Sequence, residues 1–429
     1  MRETLRNAWK IVEVRKKILY TIGMLLIYRL LCFVPTPGIP NSLLRTIQSN
    51  AEGLPLFSFI NQMTGANLSN FTIMAMGITP YINASIIMQL LCVAIPRLEE
   101  MQKDGEEGRK KIAQITRYVT VGLGLMQAIA ITVGLTRSVG GLRAIEGGFL
   151  GLLTIGLCLS AGTALAMWIG ERITENGIGN GISLLIFAGI IAHIDVFVGS
   201  FFGQVFSGTA SGQLYLQFFS SLIVFLILIV GIVIVDLAER RIRIQYAKRM
   251  VGHRMYGGQS THIPLKLNAS GVLPLIFANA IMQFPATILG FFPEWGLTLW
   301  WNDHVSQTHF LYQVIFALLI FGFTFFYSAI TFNPVEIAKN IQSNGGMIPG
   351  IRQGKPTSDH IQKISRRITM FGAIYLAVLA IIPMLILAVL GVSLPFAASS
   401  LMIAVSVAME TMRELESQML MRHYKGFLK

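Results

Sequence analysis

The stretch MGITPYINASIIMQLL (Met76–Leu91) decides how the chain reads. It lies in an apolar run, yet it carries Pro80, Asn83 and Gln89. A simple membrane anchor is not built this way. Proline removes a backbone donor, so the chain bends there or needs other partners. Irregular backbone and amides at membrane depth persist only where protein or water covers them. The segment is therefore expected to line a cavity or a seam between helices.

The surroundings support a membrane setting. Hydrophobic residues make up 53% of the 429 positions and charged residues 13%, with a mean hydropathy of +0.63. That balance places the chain in the membrane class. Ten apolar runs are long enough to span, centred on 18–34, 71–95, 116–136, 150–170, 181–201, 214–236, 270–292, 309–332, 368–389 and 394–412. The fold class expected is an all-α polytopic membrane protein with ten transmembrane helices.

Lysine and arginine set the orientation. They crowd the N-terminal segment, the second, sixth and eighth connections and the tail. The sixth connection holds Arg240, Arg241, Arg243, Lys248, Arg249, Arg254 and Lys266; the eighth holds Lys339, Arg352, Lys355, Lys363, Arg366 and Arg367. The odd-numbered connections carry only Arg45, Arg137 and Arg143. Both termini are thus expected in the cytoplasm. The basic N-terminus leads into a full span and does not read as a cleaved signal. The net charge of +13 suits an anionic membrane surface, nucleic acid or an acidic protein partner. The two long basic connections exceed what topology requires.

The chain divides near 202–213, a polar Gly- and Ser-containing connection, with five runs on each side. An odd number per half makes the halves run in opposite senses, as in inverted repeats whose working site lies near the midplane. The segment 55–68 has Leu56, Phe57, Phe59, Ile60 and Met63, and is too short to cross. It reads as a half-helix dipping back from the outer side, with an interfacial helix as the alternative. In WIGERITENGIGNGIS (Trp168–Ser183), the glycines serve a tight turn and close helix approach. No strand precedes them and no P-loop lysine follows, so phosphate binding is disfavoured.

Catalytic and metal signatures are missing from the sequence. It has no HExxH, no GxSxG and no metal spacing among its seven histidines. An enzyme is not expected, and neither is a cofactor. Cys32, Cys92 and Cys158 fall in apolar runs and read as core. Acidic residues sit near span ends, which speaks against an ion-coupled pump. Arg29 lies close enough to its span end to snorkel. The spans instead offer isoleucine and amides. Ile78 and Ile82 share one helix face, and Ile276, Asn279 and Gln283 form an i, i+3, i+7 stripe. An uncharged lining suits a conduit without preference for one charged solute. A small-solute transporter built from inverted repeats is the alternative.

Five segments carry a family resemblance. They are Met76–Leu91, Trp168–Ser183, Tyr246–Ile288 (containing SGVLPLIFANAIMQFPATI), FNPVEIAKNIQSNGGMIPGIRQG (Phe332–Gly354) and the basic tail after the tenth run. Together they resemble the SecY family of protein-conducting channels. The resemblance implies two inverted five-helix halves closing like a clamshell around a pore: 1–201, a hinge connection at 202–213, and 214–412, with a cytoplasmic tail at 413–429. It implies a plug at about 55–68 (Leu56, Phe57, Phe59, Ile60, Met63). It implies a pore ring of Ile78, Ile82, Ile186, Ile276 and Ile403, and a lateral gate that includes Asn83, Gln89, Asn279, Gln283 and Phe284.

The cytoplasmic connections at about 237–269 and 333–367 then become docking loops, with Arg240, Lys248, Arg249 and Arg352 as contacts. The partners implied are the small membrane subunits SecE and SecG, the motor SecA, the ribosome, signal sequences, unfolded polypeptides and the bilayer. The location implied is the cytoplasmic (inner) membrane, and the role is to pass secretory polypeptides across it and release spans sideways into lipid. One departure is Arg352–Gly354, RQG where many relatives read RPG, which is expected to relax one turn.

Overall fold

The structure is a computed structural model. It describes residues 9–39, 67–68, 70–137, 148–207, 212–246, 249–251, 254–256, 260–268, 270–290, 295–305, 309–390 and 398–426. The expected half-helix at 55–68, with Leu56, Phe57, Phe59, Ile60 and Met63, lies almost wholly outside the described residues, as does Lys248.

Helices dominate. In chain order they are α1 (Val12–Leu31), α2 (Thr79–Ala94), α3 (Pro96–Lys103), α4 (Gly105–Arg137), α5 (Gly148–Asn176), α6 (Gly181–Phe206), α7 (Gly212–Leu237), α8 (Leu273–Gly290), α9 (Gly296–His304), α10 (Phe310–Thr331), α11 (Pro334–Ser343), α12 (Lys355–Leu390) and α13 (Ala398–Gly426). Each of the ten expected apolar runs overlaps one of them among the described residues. Among the described residues, five helical stretches are individually long and apolar enough to cross a membrane, or six if α2 and α3 count as one broken span. Those two meet at 101°, at the extended Ile95 that precedes Pro96. Helices α6 and α7 reach into the expected 202–213 connection from both sides.

The chain is mostly helical, as expected, and the two long basic connections also carry short strands. The sixth holds β1 (Glu239–Tyr246), β2 (Arg249–Val251), β3 (Arg254–Tyr256) and β4 (Ser260–Lys266); the eighth adds β5 (Gly346–Met347). Strand β1 pairs antiparallel with β4, Ile242 opposite Ile263, and on its other edge with β5. The reason is visible in ERRIRIQY: Ile242 and Ile244 are buried while Arg241, Arg243 and Gln245 are exposed, a period of two.

The chain forms two compact units. The first comprises Met1–Phe218, Ala280–Tyr312 and Leu394–Lys429; the second comprises Phe219–Asn279 and Gln313–Ser393.

In the first unit, the conflict in Met76–Leu91 is resolved by where the helix begins. Residues 70–78 are turns apart from Thr72, which forms a β-bridge with Pro35, and α2 starts at Thr79 with Pro80 in its first turn. There the missing N–H is not needed by the helix. The irregular stretch is enclosed by protein: Leu68, Phe71, Met74, Ala75 and Met76 are almost fully buried. Its backbone groups are paired, Thr36 N–H to Phe71 O and Ile73 N–H to Val34 O, both at 2.9 Å. Gly162 of α5 permits the close approach, since a Cβ there would strike the Ile73 carbonyl.

The turn after α5 follows the glycine reading. Gly179 has φ +81°, and a Cβ on Gly181 would meet the Gly170 carbonyl. Asn180 caps α6, its side-chain oxygen accepting from Ile182 N–H and Ser183 N–H. Thr21 of α1 reaches across: its Oγ accepts from Ile178 N–H at 3.1 Å and donates to Lys17 O. Val14, Ile178 and Leu415 form one buried cluster, so the start of α1 and the end of α13 meet on the same face of this unit. Arg29 is half-buried, with its Nη1 enclosed and unpaired among the described residues.

Candidate functional site: the expected ring positions and the basic module

Ile78 is the residue before α2 and is buried; Ile82 sits one turn on and is half-buried, its N–H bonded to Ile78 O at 3.1 Å. Ile186 on α6 and Ile403 on α13 are buried, and α6 packs against α13 in the first unit. Ile276 lies at the start of α8 in the second unit and is half-buried. All five ring positions are uncharged branched side chains on helices or, for Ile78, at a helix start.

The amides expected at the gate divide. Asn83 is buried on α2, and Gln89 is exposed further along the same helix. Asn279 is buried, but its Nδ2 donates to Leu275 O of its own helix at 3.0 Å. One of its donors is thus held within its own helix. Phe284 is exposed, and Pro285 follows it inside α8. The side chain of Gln283 lies outside the described residues.

The two long basic connections fold into one module within the second unit. Ile242, Ile244 and Leu265 of the sheet share a core with Ile341 of α11, Ile348 just after β5 and Ile361 of α12; Ile263, Ile337, Ile351, Ile364 and Ile368 pack around it. Asn333 caps α11, accepting from Val335 N–H and Glu336 N–H. The loop from Gly345 to Gly354 turns on three positive-φ glycines, Gly345, Gly350 and Gly354. Arg352 is exposed on it. Its carbonyl accepts from Thr357 Oγ at 2.7 Å, and the preceding Ile351 packs on the core. The guanidinium is therefore presented from a fixed backbone.

The RQG departure does not leave the turn loose. Gln353 Nε2 donates to Gly346 O at 3.0 Å, a tie that proline cannot make. Arg240 is exposed at the start of β1; the side chain of Arg249 lies outside the described residues. Arg241 and Arg243 belong to the basic set of the sixth connection but were not among its expected contacts. These face solvent on β1, Arg243 directly opposite His262 and Arg241 opposite Pro264. Arg241 is joined to Glu239 at 2.6 Å, a surface pair of small energetic weight. The alternation in ERRIRIQY was the available signal.

The model of the SecY family matches residues 72–412. The chain belongs to the SecY family. Protein translocase subunit SecY of Bacillus licheniformis is 41% identical over 435 residues, covering 100% of both chains. The SecY subunit of Bacillus subtilis is 42% identical at the same coverage. That of Thermotoga maritima is 41% identical, covering 100% of this chain and 98% of its own. Among solved structures, a protein-conducting channel aligns with TM-score 0.66 at 18% identity, over 94% of this chain and 91% of its own. Sec61 from a canine ribosome–channel complex aligns with TM-score 0.62 at 17% identity, over 94% and 91%. These likenesses establish the channel fold of the SecY family for this chain. They leave the small-solute transporter alternative without support.

Proposed function

We propose that this chain is the channel subunit of a protein translocase. It passes unfolded secretory polypeptides across the cytoplasmic membrane and releases membrane spans laterally into lipid. The observation that carries this is full-length identity above 40% to translocase subunits named SecY.

The ring of Ile78, Ile82, Ile186, Ile276 and Ile403 is the seal in this reading. An apolar constriction dewets and stops ions, while its side chains rotate aside for a polypeptide. A polypeptide of either charge passes because the ring fixes none. Opening is a population shift: an entering signal helix substitutes its own apolar contacts for those between Asn83, Gln89, Asn279, Gln283 and Phe284 on the gate helices. The segment 55–68 is the plug that leaves the outer funnel.

The chain supplies no catalysis of its own in this account. Work comes from the motor SecA or from the ribosome, bound to the cytoplasmic module through Arg352 and the β1 arginines, with Lys248 and Arg249 beyond them. The rigid presentation of Arg352 supports that role, since guanidinium pairs bidentately with carboxylates. SecE and SecG complete the membrane complex. Both termini lie in the cytoplasm, and the packing of Val14 against Leu415 supports a shared side.

The test is reconstitution of the chain with SecE, SecG and SecA in vesicles. ATP-dependent protection of a secretory precursor from external protease is expected. Accumulation of a small solute without precursor protection would overturn the reading.

A further inference from the structure

The end of α1 is tied to the stretch just before α2 by a short ladder of bonds. Thr36 N–H donates to Phe71 O and Ile73 N–H to Val34 O, both at 2.9 Å, and Pro35 bridges to Thr72. One rung is made by side chains. Asn67 Nδ2 donates to Cys32 Sγ at 2.9 Å, and both residues are buried. The Tyr28 hydroxyl and the Arg29 guanidinium approach the same sulfur. Thr72 holds Asn67 from the other side, its N–H donating to Asn67 O at 3.2 Å and its Oγ at 3.4 Å.

The same stretch carries backbone strain. Phe71 has φ +44°, the one positive φ at a residue other than glycine among the described residues. For a bulky side chain that conformation is costly, and it persists only where the surroundings over-determine it. Here they do. Phe71 is almost fully buried, its N–H donates to Leu68 O at 3.1 Å, and its O accepts from Thr36 N–H. Strain held by a few bonds favours release once one of them is lost.

Asn67 stands near the end of segment 55–68, the plug of the proposed function. We propose that Cys32 and Asn67 are positioning residues of the resting seal. Their bond roots the chain from Asn67 onward on the end of α1. Displacement of the plug is thereby confined to the residues before Asn67, while Leu68, which is fully buried, stays in place. This rests on the reading of the chain as a channel with a plug, and adds the pair that sets the plug's fixed end. The backbone bonds of the ladder form whatever the side chains are. The Cys32–Asn67 bond is the rung that substitution removes without touching them. Loss of one buried hydrogen bond shifts an equilibrium by roughly two- to tenfold. With that bond gone and the strain at Phe71 free to relax, the resting state loses population to the open one.

The experiment uses the full chain with its small membrane subunits, in planar bilayers and in vesicles supplied with the motor. Ion conductance is read without substrate. Protease protection is read for a precursor with an intact signal and for one with a weakened signal. The variants are Cys32→Ala, Cys32→Ser, Asn67→Leu and the double Cys32→Ala/Asn67→Leu. Thr21→Val, which leaves the buried Ile178 N–H without its acceptor, controls for general destabilisation. Cys32→Ala and Asn67→Leu are expected to raise resting conductance roughly two- to tenfold and to admit the weakened signal. The double variant leaks no more than the leakier single, because both changes remove one bond. Cys32→Ser, which keeps an acceptor, stays tight, and so does Thr21→Val. Wild-type conductance in both single variants would overturn the proposal. An additive double, equal leakage in Thr21→Val, or failure of serine to restore tightness would overturn it as well. If Asn67→Leu does not assemble, Cys32→Ala against Cys32→Ser decides alone. A wild-type complex that protects no precursor would overturn the channel reading and the proposal with it; a wild type that transports while every variant seals tightly overturns the proposal only.

Discussion

Gln353 Nε2 is hydrogen-bonded to the carbonyl oxygen of Gly346 at 3.0 Å, tying the exposed arginine loop back to strand β5. A proline at this position would stiffen the turn through its ring; here a side-chain hydrogen bond holds it. Gln353→Ala removes it at a cost of about 0.5–1.5 kcal/mol. Faster amide hydrogen exchange across Gly346–Lys355 is expected, together with slower motor-driven transport. Gln353→Pro, which restricts the turn by another route, is expected to transport better than Gln353→Ala. Identical exchange in Gln353→Ala and the parent would show that the tie does not hold the loop.

Arg352 is expected to act through its charge and its fork geometry. Arg352→Glu should abolish motor-driven translocation while insertion, folding and resting ion tightness persist. Arg352→Lys keeps the charge, loses bidentate pairing and should be partly defective. Transport of a motor-dependent precursor at the normal rate by Arg352→Glu would remove this residue from the docking surface.

The turn between α5 and α6 gives a stability prediction with an internal control. Gly181→Ala drives a methyl into the Gly170 carbonyl and should destabilise the protein by about 1–3 kcal/mol or more. Gly231→Ala on α7 meets nothing within 4 Å and should be neutral or slightly stabilising. Thermal unfolding of the two variants in the same detergent decides the matter, and equal midpoints would contradict the close approach.

Thr21 links α1 to the same turn. Thr21→Val leaves the buried Ile178 N–H without its acceptor, a loss of about 1–3 kcal/mol. A lowered unfolding midpoint is expected, and Thr21→Ser should restore most of it because the hydroxyl is retained. Failure of serine to rescue would assign the effect to packing.

These residues also mark how far the sequence could be read. The glycine turn at Gly177–Gly181 was legible because few residues adopt a positive φ and because small residues advertise close approach. Pro80 was legible as a conflict, though its resolution was not. A hydropathy pattern cannot tell a helix from a buried irregular stretch, so residues 70–78 looked like the start of a span. The sheet in the basic connections was missed because charge drew attention from the period-two burial of Ile242 and Ile244. That the sixth and eighth connections share one core could not be read at all: Ile242 and Ile341 are nearly a hundred residues apart, and only tertiary packing joins them. The bond from Asn279 Nδ2 to Leu275 O was equally hidden, since a backbone carbonyl is a partner that no side-chain pattern reports.

The central claim is that a translocating polypeptide passes through the isoleucine ring. A precursor arrested midway in the reconstituted complex tests it most directly. A photoreactive residue is placed in turn at Ile82, Ile186, Ile276 and Ile403, and at the exposed, apolar helix positions Ile227 and Leu318. Crosslinks to the arrested chain are expected from the four ring positions and not from the other two. Crosslinks at Ile227 and Leu318 with none at the ring would contradict the account.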